Sequence, residues 1–200
     1  MSLLKFYIIF IAWIFRITFR IKSAGSGNIP DGRCILCANH TSMLDPVMMI
    51  LAMKRKAYEN TKVMAKIELS RVPALGFLIK PFTVFIDRGR SDMGAIKKTI
   101  EGLENGDKFI IFPEGTRVDN ADGSQAKTGV ALMAVKSGAP IVPVYITSCR
   151  KPMFSFKRVD VIFGEPYYPV KDKSLSTSEA YRRIADEMMG KIFELGNGAR

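Results

Sequence analysis

The sequence predicts an α/β domain, with a mixed and largely buried sheet flanked by helices, behind an apolar N-terminal helix that anchors it to a membrane. Three observations carry this. Short runs rich in β-branched and apolar residues alternate with helical patterns, the arrangement that lays helices on the faces of a sheet. Glycine, proline and capping residues punctuate the chain where one pattern gives way to the next. Ahead of all of them, Phe6 to Phe15 is an unbroken apolar run of ten residues bordered by Lys5, Arg16 and Arg20.

A transmembrane helix wants roughly 20 apolar residues, so this run is short for a span. On a helix at 100° per residue, Lys5, Arg16 and Arg20 fall within about 60° of arc, with aromatics and isoleucines over most of the rest. That pattern suits a helix lying in the membrane interface with its cations toward lipid phosphates. A tilted span ranks second. A signal peptide ranks last, because Arg-Ile-Thr-Phe-Arg-Ile-Lys follows the run where a small-residue cleavage site would stand. Residues 1–23 are therefore assigned to the anchor and residues 28–200 to one catalytic-sized domain, joined by the flexible stretch Ala24 to Asn28.

Within the body, Cys34 to Ala38, Val63 to Ala65, Phe82 to Ile86, Lys108 to Phe112, Ile141 to Ile146 and Val159 to Phe163 read as strands. Asp45-Pro46 predicts a helix from Pro46 to about Lys54 with Asp45 as its cap. Ser91 caps a second helix, whose apolar residues Ile96, Ile100 and Leu103 recur at three to four and which Gly106 ends. Thr128 to Ser137 forms a third, stopped by Gly138 and Pro140. Ser176 and Glu179 make a capping box for a fourth, striped by Tyr181, Ile184, Ala185, Met188, Met189 and Ile192. The methionines on that stripe read as core filling. Pro143 within its strand predicts an edge or a bulge.

Composition narrows the partners. Thirty Lys and Arg against 19 Asp and Glu give a net charge of +11, which favours an anionic partner. No zinc-finger, RNP-like or basic helical array points to nucleic acid, whereas the anchor points to lipid. Cys34, Cys37 and Cys149 are odd in number, and the first two fall in a buried strand on opposite faces, so a disulfide framework or metal pair is disfavoured. A reducing compartment, at the cytoplasmic face of a membrane, fits.

His40 is the single histidine of the chain and directly follows a strand. A neutral imidazole is the natural proton acceptor near pH 7. On a continuous helix Asp45 would point about 140° away from it, so the two meet only if the backbone turns between them, as Asp45-Pro46 allows. Such a carboxylate fixes the imidazole tautomer and leaves Nε2 free to deprotonate a hydroxyl. The pair alone also describes an ordinary loop. A second cluster, Phe112-Pro113-Glu114-Gly115-Thr116-Arg117, again follows a strand and offers a guanidinium fork, a hydroxyl and a glycine suited to a phosphate, with Glu114 free to orient an acceptor hydroxyl or hold Arg88. Phe85-Ile86-Asp87-Arg88, Lys66 and Lys127 bring further cations to strand ends or a helix start. By themselves these residues are equally the stuff of turns and solvated surface.

In order, Asn39-His40-Thr41-Ser42-Met43-Leu44-Asp45, Phe85-Ile86-Asp87-Arg88, Phe112-Pro113-Glu114-Gly115-Thr116-Arg117 and Ile141-Val142-Pro143-Val144 resemble the four motifs of the glycerolipid acyltransferase family. The closest resemblance is to the 1-acyl-sn-glycerol-3-phosphate acyltransferases. It covers the body from about Asn28 to Tyr168. It implies a glycerolphosphate-acyltransferase-like domain that takes acyl-CoA or acyl-carrier protein as co-substrate and lysophosphatidate in a membrane as acceptor. It implies no metal and no cofactor. His40 and Asp45 would be the catalytic base and its orienting carboxylate, with the hydroxyl attacking the thioester directly, in keeping with the lack of a Gly-x-Ser-x-Gly elbow. Lys66, Arg88, Glu114, Gly115, Thr116 and Arg117 would bind substrate. Transfer to glycerol 3-phosphate or another lysophospholipid, hydrolysis of the thioester, and a non-enzymatic anionic-lipid-binding module are the alternatives.

Overall fold

The structure, a computed structural model, describes residues 18, 20–54, 57, 60–72, 76, 79–87, 93–115, 126–147 and 158–198. The apolar run Phe6 to Phe15 lies outside the described residues, as do Arg88, Ser91, Thr116, Arg117 and Cys149.

The strands are β1 (Lys22–Ala24), β2 (Cys34–Ala38), β3 (Thr61–Lys66), β4 (Thr83–Ile86), β5 (Lys108–Ile111), β6 (Ile141–Ile146) and β7 (Asp160–Phe163). They form a seven-stranded sheet in the order β1-β7-β6-β2-β5-β3-β4. Neighbours run parallel except β6 and β7, so the sheet is mixed. The helices are α1 (Asp45–Ala52), α2 (Met93–Glu104), α3 (Gly129–Ser137) and α4 (Thr177–Asn197). Leu36, Ala38, Ile110, Val142 and Val144 pack against Met48, Met49 and Ala52 of α1 on one face. On the other, Ile35, Cys37, Phe109, Ile111 and Ile141 meet Leu103 of α2, Met133 of α3, and Met188 and Ile192 of α4. All five residues of β2 are buried, which is why its sequence does not alternate.

Most sequence-predicted elements appear within one or two residues of their expected ends. The capping box is formed in full: Ser176 Oγ accepts from the Glu179 N–H at 3.3 Å while Glu179 Oε2 accepts from the Ser176 N–H at 3.1 Å. Such a cap contributes about 1 kcal/mol. Met188 and Met189 are buried, as core filling requires. Cys34 and Cys37 are free thiols in the two opposite cores. Burial pushes both thiols up, Cys34 to about 12, and so keeps them unreactive.

Three local expectations change. The stretch Ala24 to Asn28 is not a flexible joint: Ala24 ends β1 and Ser26–Asn28 is a 3-10 turn tied to β7 by Asn28 Nδ2 donating to Phe163 O at 3.2 Å. Gly25 sits at φ 68°, and a Cβ there would lie 2.0 Å from Phe163 O, so glycine is required for the approach. The sheet thus recruits Lys22–Ala24, ahead of the Asn28 start expected for the body. Of the edge or bulge expected at Pro143, the edge is not found, since the strand is interior, and the irregular pairing is. Gly164 N–H donates to Pro143 O at 2.8 Å and pairing resumes between Ile141 and Tyr167, so the β7 side of β6 is interrupted where proline lacks a donor. Asp45 is the first residue of α1, with Leu44 as N-cap, and its carboxylate turns back into the preceding loop.

Candidate active site

The site follows from register. In the β2–β5 pair Cys37 lies opposite Ile111, so the residues three beyond each, His40 and Glu114, leave the same end of adjacent parallel strands. The His40 N–H accordingly donates to Glu114 Oε2 at 3.2 Å across 74 residues of sequence. Ligands collect at such strand ends in open α/β sheets.

The loop between β2 and α1 folds around one carboxylate oxygen. Asp45 Oδ2 accepts from the Thr41 N–H at 2.7 Å, from the Ser42 N–H at 2.8 Å, and lies 2.9 Å from His40 Nδ1. Since Oδ2 already acts as acceptor toward two amides, the third contact places the proton on Nδ1 and leaves Nε2 with its lone pair. The Asp45 side chain is fully buried and that of His40 is 12% exposed, so the pair is held from below and open on one side. Phe112 stacks on the imidazole, with centroids 4.2 Å apart and planes at 26°. Two anchors plus a stacked ring fix the imidazole in the orientation that general-base chemistry needs. The Phe112 contact was not among the site residues expected from sequence; its signal is that Phe112 and His40 follow in-register neighbouring strands.

Glu114 is buried. Burial pushes its carboxyl above the ordinary range; the His40 N–H and charge oppose this, and the Asp45 charge adds to it. The folded chain therefore holds this proton to higher pH than the unfolded chain, and stability is lost as pH rises through the interval between the two. Glu114→Gln keeps an acceptor for the His40 N–H and removes the buried charge. Its melting temperature is expected to equal or exceed that of the parent at neutral pH, the gap closing as pH falls below the carboxylate range. Thermal denaturation across pH checks this; a variant less stable at neutral pH would show that a cation compensates the carboxylate.

Gly115 adopts φ 71°, and a Cβ there would lie 2.7 Å from Lys127 Cε. The Lys127 stem thus crosses Gly115, held by its own N–H donating to Pro113 O at 2.9 Å. Lys66 ends β3, next to β5, with its side chain 51% exposed and its ammonium 3.0 Å from Glu68. The structure therefore gathers His40, Asp45, Glu114, Gly115 and Lys127, and leaves Lys66 paired at the rim of the same strand end. Arg88, Thr116 and Arg117 belong to segments outside the described residues.

The acyltransferase family model matches residues 20–147, which include every described residue of this site. The chain belongs to the acyltransferase family. Among relatives of this acyltransferase-family chain, a "Probable 1-acyl-sn-glycerol-3-phosphate acyltransferase" of Mycoplasma pneumoniae is 28% identical over 80% of the chain and 66% of its own length. A chloroplastic 1-acyl-sn-glycerol-3-phosphate acyltransferase of Brassica napus is 28% identical over 82% of the chain and 49% of its own length. The chain thus spans between about half and two thirds of these relatives. Among solved structures, the 1-acyl-sn-glycerophosphate (LPA) acyltransferase PlsC from Thermotoga maritima is similar, with a TM-score of 0.66 and 27% identity, covering 98% of this chain and 84% of that one. The mixed α/β architecture is therefore shared with that enzyme.

Proposed function

We propose that this chain is an O-acyltransferase of phospholipid biosynthesis that moves a fatty acyl group from acyl-CoA or acyl-carrier protein to the free hydroxyl of lysophosphatidate, forming phosphatidate. The observation that carries the chemistry is the contact of His40 Nδ1 with a fully buried Asp45 carboxylate at 2.9 Å. The acceptor follows from the names of the relatives, whose family chemistry that pair can perform.

In this reading Nε2 of His40 removes the acceptor hydroxyl proton as the oxygen attacks the thioester carbonyl. The tetrahedral intermediate collapses, the carbon–sulfur bond breaks, and the departing thiolate takes the proton from the imidazolium. Asp45 stabilises the imidazolium between these steps. A thiolate leaves readily, so no acyl-enzyme is needed. Arg88, Thr116 and Arg117 are assigned to the acceptor phosphate together with Lys66, Gly115 and Lys127, since a planar guanidinium and a close backbone approach suit a phosphoester. The test crosses acyl-CoA and acyl-carrier protein with several acceptors and follows thioester consumption. Lysophosphatidate should drive thiol release with both loss of donor and gain of phosphatidate. If it is ignored while another lysolipid is consumed, the acceptor assignment fails; thiol release without any acceptor would make the protein a thioesterase.

The acceptor resides in a bilayer, and the proposal places the protein there through its N-terminal segment. Met43, 60% exposed, and Val47, 38% exposed, put apolar side chains on the surface of the loop and helix start that follow His40. Among the described residues no helix is long and apolar enough to cross a membrane. Because Lys22–Ala24 pairs with β7, a truncation that tests the anchor must end before Lys22. Deleting residues 1–17 is expected to move the protein from the membrane to the soluble fraction with its fold intact. Persistent attachment in a flotation assay would show a second membrane-binding surface.

A further inference from the structure

β2 and β6 pair in parallel as far as Ala38 opposite Val144. A parallel ladder advances two residues at a time, and it is in phase at Ile35, whose N–H donates to Pro140 O at 2.9 Å. Two steps on, the Ile146 N–H would meet the main-chain carbonyl of Asn39. It meets the side chain instead: Asn39 Oδ1 accepts from the Ile146 N–H at 2.8 Å, and Asn39 Nδ2 donates to Ile146 O at 3.0 Å. One carboxamide thus satisfies both main-chain groups of a residue that is itself fully buried, and Asn39 is only 6% exposed.

We propose that Asn39 is a positioning residue for acyl transfer. Its side chain replaces the backbone in the last rung of the β2–β6 ladder, so the main chain can leave the sheet one residue before His40 while staying fixed to β6. The imidazole then stands where Asp45 holds its Nδ1 and Glu114 holds its amide. Only a carboxamide of this length supplies both an acceptor and a donor there. Aspartate would set an oxygen against the Ile146 carbonyl, and alanine would strand both of its groups in the core. This rests on the reading of His40 as the base.

The experiment compares Asn39→Ala and Asn39→Asp with the parent and with His40→Ala. It measures kcat, KM for each substrate, the melting curve, and the NMR resonance of the Nδ1 proton, which the single histidine makes unambiguous. Misplacing a reacting group by about 1 Å costs on the order of 100-fold. Both variants are expected to lose kcat about 10- to 100-fold with KM changed less than about threefold. Their Nδ1 proton signal should broaden or vanish well below the melting temperature. Unchanged kcat, or an unchanged imidazole signal in the folded fraction, would overturn the proposal, as would failure of both variants to fold, which would make Asn39 a structural residue only. If His40→Ala remains active, the base assignment fails by itself, and the imidazole signal still decides whether Asn39 positions that ring.

Discussion

Replacing His40 with alanine is expected to lower kcat by on the order of 10² to 10⁴ while the protein stays folded. The loss is catalytic because nothing else in the described site can take the hydroxyl proton in its place: Asp45 is fully buried, and Glu114 is buried and engaged with the His40 amide. The fold survives for equally specific reasons. The main-chain bond from residue 40 to Glu114 does not need the imidazole, and Asp45 Oδ2 keeps the Thr41 and Ser42 amides. What is lost is the stack on Phe112, worth about 0.5–1.5 kcal/mol, and the Nδ1–H bond to the Asp45 carboxylate, worth about 1.5–3 kcal/mol. For a chain of this size that lowers the melting temperature by about 2–4 °C per kcal/mol. Steady-state kinetics beside a melting curve checks both halves; retained transfer would remove His40 as the base.

Asp45→Asn should lose comparable activity and also stability. The amide oxygen can replace Oδ2 among its three donors, but those bonds lose the carboxylate charge, and the amide nitrogen then occupies the place of Oδ1, a buried atom with no hydrogen-bond partner among the described residues. An unsatisfied buried donor costs about 1–3 kcal/mol. The neutral side chain also no longer stabilises the imidazolium, so kcat is expected to fall on the order of 10² to 10⁴. A variant that melts lower and still transfers acyl groups at the parental rate would remove Asp45 from the mechanism and leave it a loop residue.

These expectations draw on features of unequal visibility in the sequence. β2 and β6 were legible because both are buried on both faces and carry uninterrupted apolar residues. β1 was not, because Lys22, Ser23 and Ala24 are exposed and owe their strand geometry to pairing with β7, far along the chain. The His40–Asp45 pair was legible as a possibility of the Asp-Pro turn, and the resemblance singled it out; the shared Oδ2 that shapes the loop depends on amide directions no residue spacing encodes. Asn39 stood in the motif without a role, since its partner Ile146 is 107 residues away and the bond is to main chain. Pro143 read as an edge or a bulge because its sequence cannot show that it lies in an interior strand with β7 breaking off at Gly164 opposite it. Glu114 read as a partner for Arg88 or for a hydroxyl; its contact with the His40 amide emerges only once β2 and β5 are set in register.

Catalysis turns on the proton that His40 takes from the acceptor, and the lone imidazole allows that to be followed directly. The measurement is the pH dependence of kcat/KM for lysophosphatidate set beside the NMR titration of the single histidine in the free protein. Coincidence of the acid limb with protonation of the ring is the predicted result. Full transfer at a pH where the ring is already an imidazolium would contradict it.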